Sequence, residues 1–193
     1  MKKLVVILSI LIGISGCYEV EGKAKDLLAD KWNREGVYLL NQGNYVDSIE
    51  CFDRALKIDP KYYKALNNKG LALIFLKRYN ESIEFFDKAL KINPECVSAL
   101  NNKGTALLNL KRYNESIEFF DKALKINPEY ALAWNNKGYT LAKLGRYEEA
   151  LACYDEALRI KPNYAIALDN KKNALKEIEK IEKSPQVSES IKD

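Results

Sequence analysis

Histidine does not occur in this chain of 193 residues. That absence removes the commonest general acid–base group near neutral pH and the commonest metal ligand. Glycine and proline are sparse, nine and five, which argues against disorder over most of the length. There are four cysteines and no Cys-x-x-Cys pair, so no metal site is expected. Charge of one sign is not in excess, with 31 basic against 27 acidic residues. Setting aside Lys2 and Lys3 leaves 29 against 27, which is no footprint for nucleic acid, because phosphate binding needs basic groups gathered on one face. A run of membrane-crossing length is missing too, since the apolar stretch Leu4–Ile14 falls short of the ~20 residues a spanning helix requires.

What is present is a globular composition, 47% hydrophobic and 30% charged, in a length that fits one domain or one short repeat array. The N-terminus, MKKLVVILSILIGISGC, has two lysines, an apolar stretch and small residues, the layout of a secretory signal peptide. Its exit, Ile14-Ser15-Gly16-Cys17, resembles the lipobox of prokaryotic lipoproteins. The resemblance implies a diacylglyceryl group on Cys17, cleavage just before it, and a membrane-anchored protein on the extracytoplasmic side of the cell envelope. Two acyl chains would hold the protein stably on a membrane. An ordinary signal peptide or an uncleaved anchor is the alternative. Tyr18 to Asp26 could reach no more than ~30 Å, so the folded part would sit close to the bilayer.

The string LKRYNESIEFFDKALKINPE occurs at Leu76–Glu95 and again, unchanged, at Leu110–Glu129. The same offset of 34 relates Pro60, Pro94, Pro128 and Pro162, then Gly36, Gly70, Gly104 and Gly138, then Tyr45, Tyr79, Tyr113 and Tyr147, then Ala55, Ala89, Ala123 and Ala157. A period of this size is the signature of a repeat architecture. Within one unit Leu66, Gly70 and Leu73 have helical spacing, and Ser82, Phe86 and Ala89 have it again further on. Each unit is therefore expected to be a helical hairpin, ended by a proline that lacks a donor and pushes the preceding residue out of the helical region.

These columns resemble the tetratricopeptide repeat. Trp32, Gly36, Leu39, Tyr45, Ser48, Phe52, Ala55 and Pro60 fit its pattern in the first unit, and Trp134, Gly138, Leu141, Tyr147, Ala150, Tyr154, Ala157 and Pro162 in the fourth. Leu66 and Leu100 replace the tryptophan in the middle units. The resemblance implies an all-α fold, a right-handed α-solenoid of four helix-turn-helix repeats at 29–62, 63–96, 97–130 and 131–164. It would be preceded by a signal peptide at 1–16 and a linker at 17–28. A capping helix at 165–182, with Ile166, Leu168, Leu175 and Ile178 as its apolar side, and a disordered tail at 183–193 would follow. One departure recurs: where the family usually has leucine before the glycine, this chain has Glu35, Lys69, Lys103 and Lys137. A lysine stem can lie along apolar surface while its ammonium reaches water.

For function, Glu84 with Lys88 and Glu118 with Lys122 read as i, i+4 ion pairs on a solvated face. Asn67–Glu95 and Asn101–Glu129 differ only at Leu71/Thr105, Ile74/Leu108 and Phe75/Asn109, one face of the first helix. In the tetratricopeptide family the first helices line a concave groove, and this face meets peptide ligands. Asn33, Asn67, Asn101 and Asn135 belong to it, with Arg34, Asn68, Asn102 and Asn136 alongside. One reading has this asparagine ladder contact the backbone of a partner segment, while Leu71, Phe75, Thr105, Asn109, Tyr139 and Lys143 supply selectivity. The other has the asparagines bond helix to helix. The carboxylate clamp of chaperone-tail receptors is not expected, because Asn33, Val37, Asn68, Ser98 and Asn102 stand at its places and only Asn68 agrees. Cys51, Cys96 and Cys153 read as buried thiols. The expectation is a non-enzymatic scaffold without cofactor, nucleic acid or small-molecule substrate, with self-association or support of a complex through the convex face as the competing role.

Overall fold

The computed structural model describes residues 25–183, so the expectations for the leader, for Cys17 and for the tail beyond Lys183 lie outside the described residues. The chain divides into two compact units, Met1–Arg78 and Tyr79–Asp193. Three helices are described in the first: α1 over 25–41, α2 Tyr45–Ile58 and α3 Tyr63–Phe75. The second holds α4 Tyr79–Ile92, α5 Val97–Asn109, α6 Tyr113–Ile126, α7 Ala131–Lys143, α8 Tyr147–Ile160 and α9 Ala165–Glu182. All regular structure among the described residues is helical, as the period of 34 predicts.

The turn inside each hairpin holds a further repeated position, Gly43, Lys77, Lys111 and Gly145. Gly43 and Gly145 have positive φ, and so do Lys77 and Lys111, at φ 60° and 61°. At each place the next N–H reaches back into the helix, as from Arg112 to the Leu107 carbonyl at 2.9 Å. This satisfies carbonyls that a helix end leaves open. A lysine in the left-handed region carries a steric cost of roughly 1–2 kcal/mol that glycine avoids. The second helices stop before proline for the expected reason: Asp59, ahead of Pro60, is extended at φ −128°.

Inside a hairpin the glycine of the first helix meets the ring of the second. A Cβ placed on Gly104 would stand 2.6 Å from Phe120 Cε1, and one on Gly138 2.7 Å from Tyr154 Cε1. Phe52, Phe86 and Phe120 are fully buried and Tyr154 nearly so, each ring contributing about 1.5–3 kcal/mol by leaving water. In the first unit Leu40, Phe52 and Ala72 form the centre, flanked by Val37, Tyr45, Ile49 and Leu71. In the second, α6 packs on α5 and α7, and α8 on α7 and α9, while α7 also touches the first-type helices α5 and α9.

Three surface expectations are corrected. The lysine before the repeat glycine does not end in water: Lys103 pairs with Asp87, Lys137 with Asp121 at 2.6 Å, and Lys69 with Asp53 in the first unit. Each aspartate lies on the preceding second helix, and the Lys103 ammonium stands 4.2 Å from the Phe119 ring centroid. The Lys88 and Lys122 ammonium groups lie over the rings of Phe85 and Phe119, at 4.7 and 4.5 Å, rather than on Glu84 and Glu118, because a ring one turn away attracts the cation as well as covering its stem. In α9 the residues that bury are Ala167 and Ala174, whereas Ile166, Leu168 and Leu175 are about half exposed. Leu168 and Leu175 continue the columns of Leu100 and Leu107, which face a second helix within their own hairpin; α9 has none among the described residues. α9 nonetheless keeps both ties to the fourth repeat: Lys171 pairs with Asp155, and Asn170 donates to Asn135 Oδ1 at 2.9 Å.

Candidate functional site

The asparagine ladder turns inward. Asn33, Asn67, Asn101 and Asn135 are all buried, at 7% exposure or less. In the second unit Asn101 Oδ1 accepts from Asn136 Nδ2 at 3.1 Å, and Asn135 Oδ1 accepts from Asn170 Nδ2. Their own Nδ2 groups donate sideways, Asn101 to Asn102 Oδ1 at 3.4 Å and Asn135 to Asn136 Oδ1 at 3.3 Å. The first unit repeats the arrangement, with Asn68 Nδ2 donating to Asn33 Oδ1 at 2.9 Å and Asn67 Nδ2 to Asn68 Oδ1 at 3.2 Å. The bonds accepted by Asn33, Asn101 and Asn135 run from one first helix to the next, the second of the two readings the sequence allowed. A buried amide left without them would cost about 1–3 kcal/mol.

The remaining predicted site residues divide by unit. Arg34 binds Asp30 at 2.9 Å, and the same carboxylate accepts from the Tyr62 hydroxyl at 2.7 Å. Burial, then that bond, pushes the Tyr62 pKa up to about 12. Leu71 belongs to the rim of the first unit's core. Phe75, half exposed, lies flat on Tyr45 with centroids 4.8 Å apart and planes 8° apart. In the second unit the Thr105 hydroxyl donates to the Asn101 carbonyl at 3.0 Å, and Asn109 Nδ2 donates to the Thr105 carbonyl at 2.8 Å. Tyr139 is 38% exposed, and the Lys143 ammonium stands 5.0 Å from its ring centroid.

Tyr139 and Lys143 open onto a cleft of about 430 Å³ that Tyr147, Tyr154, Asn170, Asn173 and Glu177 also line. Its walls come from α7, α8 and α9. Sequence reasoning missed the residues of α8 and α9 because it sought the site on first helices of complete repeats. A signal was available: Tyr154 continues the column of Phe52, Phe86 and Phe120 and adds a hydroxyl to it. Burial raises the Tyr154 pKa well above the usual tyrosine range, so the hydroxyl keeps its proton and can donate. Burial likewise pushes the Cys153 thiol up to about 11. Cys51 is buried as well, while Cys96 is only half-buried, its Sγ 3.4 Å from Ser98 Oγ. No group of three or more potential metal ligands occurs among the described residues.

Helical hairpins tied by amide and ion-pair bonds, with a cleft beside α7, define a helical-repeat fold. The tetratricopeptide repeat family matches residues 29–62, 63–96, 97–130 and 131–164, and the chain belongs to that family. Its repeats serve as protein–protein interaction scaffolds, and this chain shares their fold. Similar solved structures include Pseudomonas aeruginosa pilF, 22% identical, covering 81% of this chain and 72% of that one with a TM-score of 0.75. The Arabidopsis OM64 TPR domain is 26% identical, with 60% and 95% covered and a TM-score of 0.58. The first TPR of Spaghetti (RPAP3), solved bound to the HSP90 peptide SRMEEVD, is 22% identical, with 62% and 95% covered and a TM-score of 0.59. A comparison with curated proteins finds no match.

Proposed function

We propose that the chain is a lipid-tethered adaptor on the outer side of a prokaryotic membrane, holding a peptide segment of a protein partner against the first helices of its repeats. The observation that carries this reading is the cleft beside α7. The asparagines are spent on holding repeats together, yet Tyr139 and Lys143 remain accessible there and border a concavity of about 430 Å³. A neighbour of the same fold solved with a peptide supports the same mode. The accessible selectivity set is then Phe75 in the first unit and Asn109, Tyr139 and Lys143 in the second. The anchor rests on the sequence, where Cys17 ends a lipobox-like stretch; no helix among the described residues is long and apolar enough to cross a membrane.

Crosslinking in the native host through a photoreactive residue at position 143, followed by mass spectrometry, tests the adaptor. One defined partner peptide is expected, and a smear of unrelated proteins counts against it. A Cys17→Ala chain is expected to leave the membrane fraction; its retention with the leader still attached would end the lipid-anchor reading.

A second reading, self-association, is favoured by Leu168 and Leu175, both more than two-fifths exposed on α9. They share a helix face with Lys172 and Glu179, so two antiparallel copies centred on Leu175 would oppose unlike charges across a two-fold axis. Light scattering over a concentration series separates the readings: a constant monomer mass removes the second.

A further inference from the structure

Two departures from the repeat meet in the cleft of the second unit. The first is Tyr154. It is 1% exposed, it lines the cleft, and its hydroxyl makes no hydrogen bond among the described residues. Among the described residues no fully enclosed side-chain polar atom lacks a partner, so the small accessible part of Tyr154 includes its hydroxyl, at the wall of the cleft. The column has phenylalanine in the other three repeats, which shows that the fold does not need the oxygen.

The second departure is Glu177. In the first unit Phe75 follows Tyr45 by thirty residues, and the two rings stack in parallel. Thirty residues after Tyr147, the equivalent tyrosine, comes Glu177. Both line the cleft, and a carboxylate offers no ring to cover Tyr147. The place that the chain's own phenylalanine takes in the first unit holds no ring in the second, where Asn109, Lys143 and Glu177 follow their tyrosines by thirty residues, and at Glu177 a cleft lies beside it.

The remaining lining restricts what can enter. Lys143 and Glu177 bring one charge of each sign. The Lys143 ammonium already stands over Tyr139 and the Glu177 carboxylate accepts from Lys180 at 2.5 Å, so a charged side chain would find no unpaired partner and would lose its hydration. A neutral group meets neither objection. The volume is within the ~300–1,000 Å³ range of small-ligand sites, and tyrosine rings favour offset stacking on another ring.

We propose that this cleft is the anchor site for an aromatic side chain in an uncharged, extended segment of the partner. The ring stacks on Tyr147 as Phe75 stacks on Tyr45, and a carbonyl of the segment accepts a hydrogen bond from the Tyr154 hydroxyl. This rests on the adaptor reading and supplies the residue class which that reading leaves open.

The test is an NMR titration of the purified protein with N-acetyl-phenylalanine amide, with N-acetyl-leucine amide for comparison. For so small a ligand a Kd on the order of 1 mM is expected, with amide shifts around Tyr139, Tyr147 and Ala174 and at least about fivefold weaker binding of the leucine compound. Glu177→Phe gives the cleft its own ring and should lower affinity more than about tenfold while the thermal midpoint holds or rises. Tyr154→Phe, a residue this column accepts three times, should weaken binding about threefold to tenfold, the worth of one hydrogen bond. Equal binding of the leucine compound overturns the proposal, as does undiminished binding by a folded Glu177→Phe chain. Crosslinking the Glu177→Phe chain in the host separates this idea from the one beneath it. If the same partner peptide is captured with and without the substitution, the anchor fails and the adaptor stands. If the amide binds as expected and neither chain captures a partner, the adaptor fails and the site stands.

Discussion

Tyr45 with Phe75 in the first unit and Tyr147 with Glu177 in the second, where Tyr79 with Asn109 and Tyr113 with Lys143 stand at the same two positions of the repeat, have opposite outcomes. In the first unit two rings lie flat on one another, 4.8 Å apart, and the surface is closed. In the second the residue at the place of the covering ring is Glu177, whose carboxylate pairs with Lys180, and a cleft lies beside it. The backbone period is identical, so whether a stacked pair forms is decided by the residue thirty places after the tyrosine, which is a ring only at Phe75. The scaffold tolerates either state because the ties that hold it, the amide bonds and the lysine–aspartate pairs, lie elsewhere on the helices.

The largest way to disturb the comparison is to remove the ring beneath the second junction. Tyr154→Ala is expected to cost about 3–5 kcal/mol in denaturant unfolding, while Tyr154→Phe stays within about 0.5 kcal/mol. A fall as large for Tyr154→Phe would mean that the hydroxyl is structural. Asn135→Leu leaves the Asn170 donors without their acceptor and should cost about 1–3 kcal/mol, read from the shift in denaturation midpoint. Phe75→Glu moves the second junction's chemistry into the first unit. It should cost about 1 kcal/mol, the worth of an aromatic pair, and Glu177→Phe should return a similar amount. If the two exchanges both destabilise, the junctions are not equivalent. The smallest effect is with pH. The Cys153 thiol is raised by burial from an ordinary value of 9 to about 11, so the folded chain holds its proton more tightly than the unfolded chain. The stability this gives is whole below pH 9 and declines as pH rises toward 11. A Cys153→Ala chain should show a flatter profile over that window.

Much of this was legible in order of how local its physics is. Helix pairs follow from the spacing of Leu66, Gly70 and Leu73 and from the prolines, and the Gly104 contact with Phe120 follows from the column of small residues. The asparagines were legible as a column but not as a direction: one face of a first helix includes both what the next helix covers and what solvent reaches, and residue type does not divide them. The ion pair of Lys137 with Asp121 spans sixteen residues and two helices, a separation at which no sequence periodicity announces contact. Lys77 and Lys111 concealed a left-handed turn because the sequence signal for that turn is glycine, which only Gly43 and Gly145 provide.

By itself the chain's order of residues determined that there would be helical hairpins of a fixed length, where each would end, and that they would pack by small residues against rings. Those outcomes depend on backbone geometry and on burial within one hairpin, which a period of 34 states outright. Only the tertiary structure decided which polar groups became fastenings and which stayed open. That choice depends on what the neighbouring hairpin covers, and so on side chains a full repeat away.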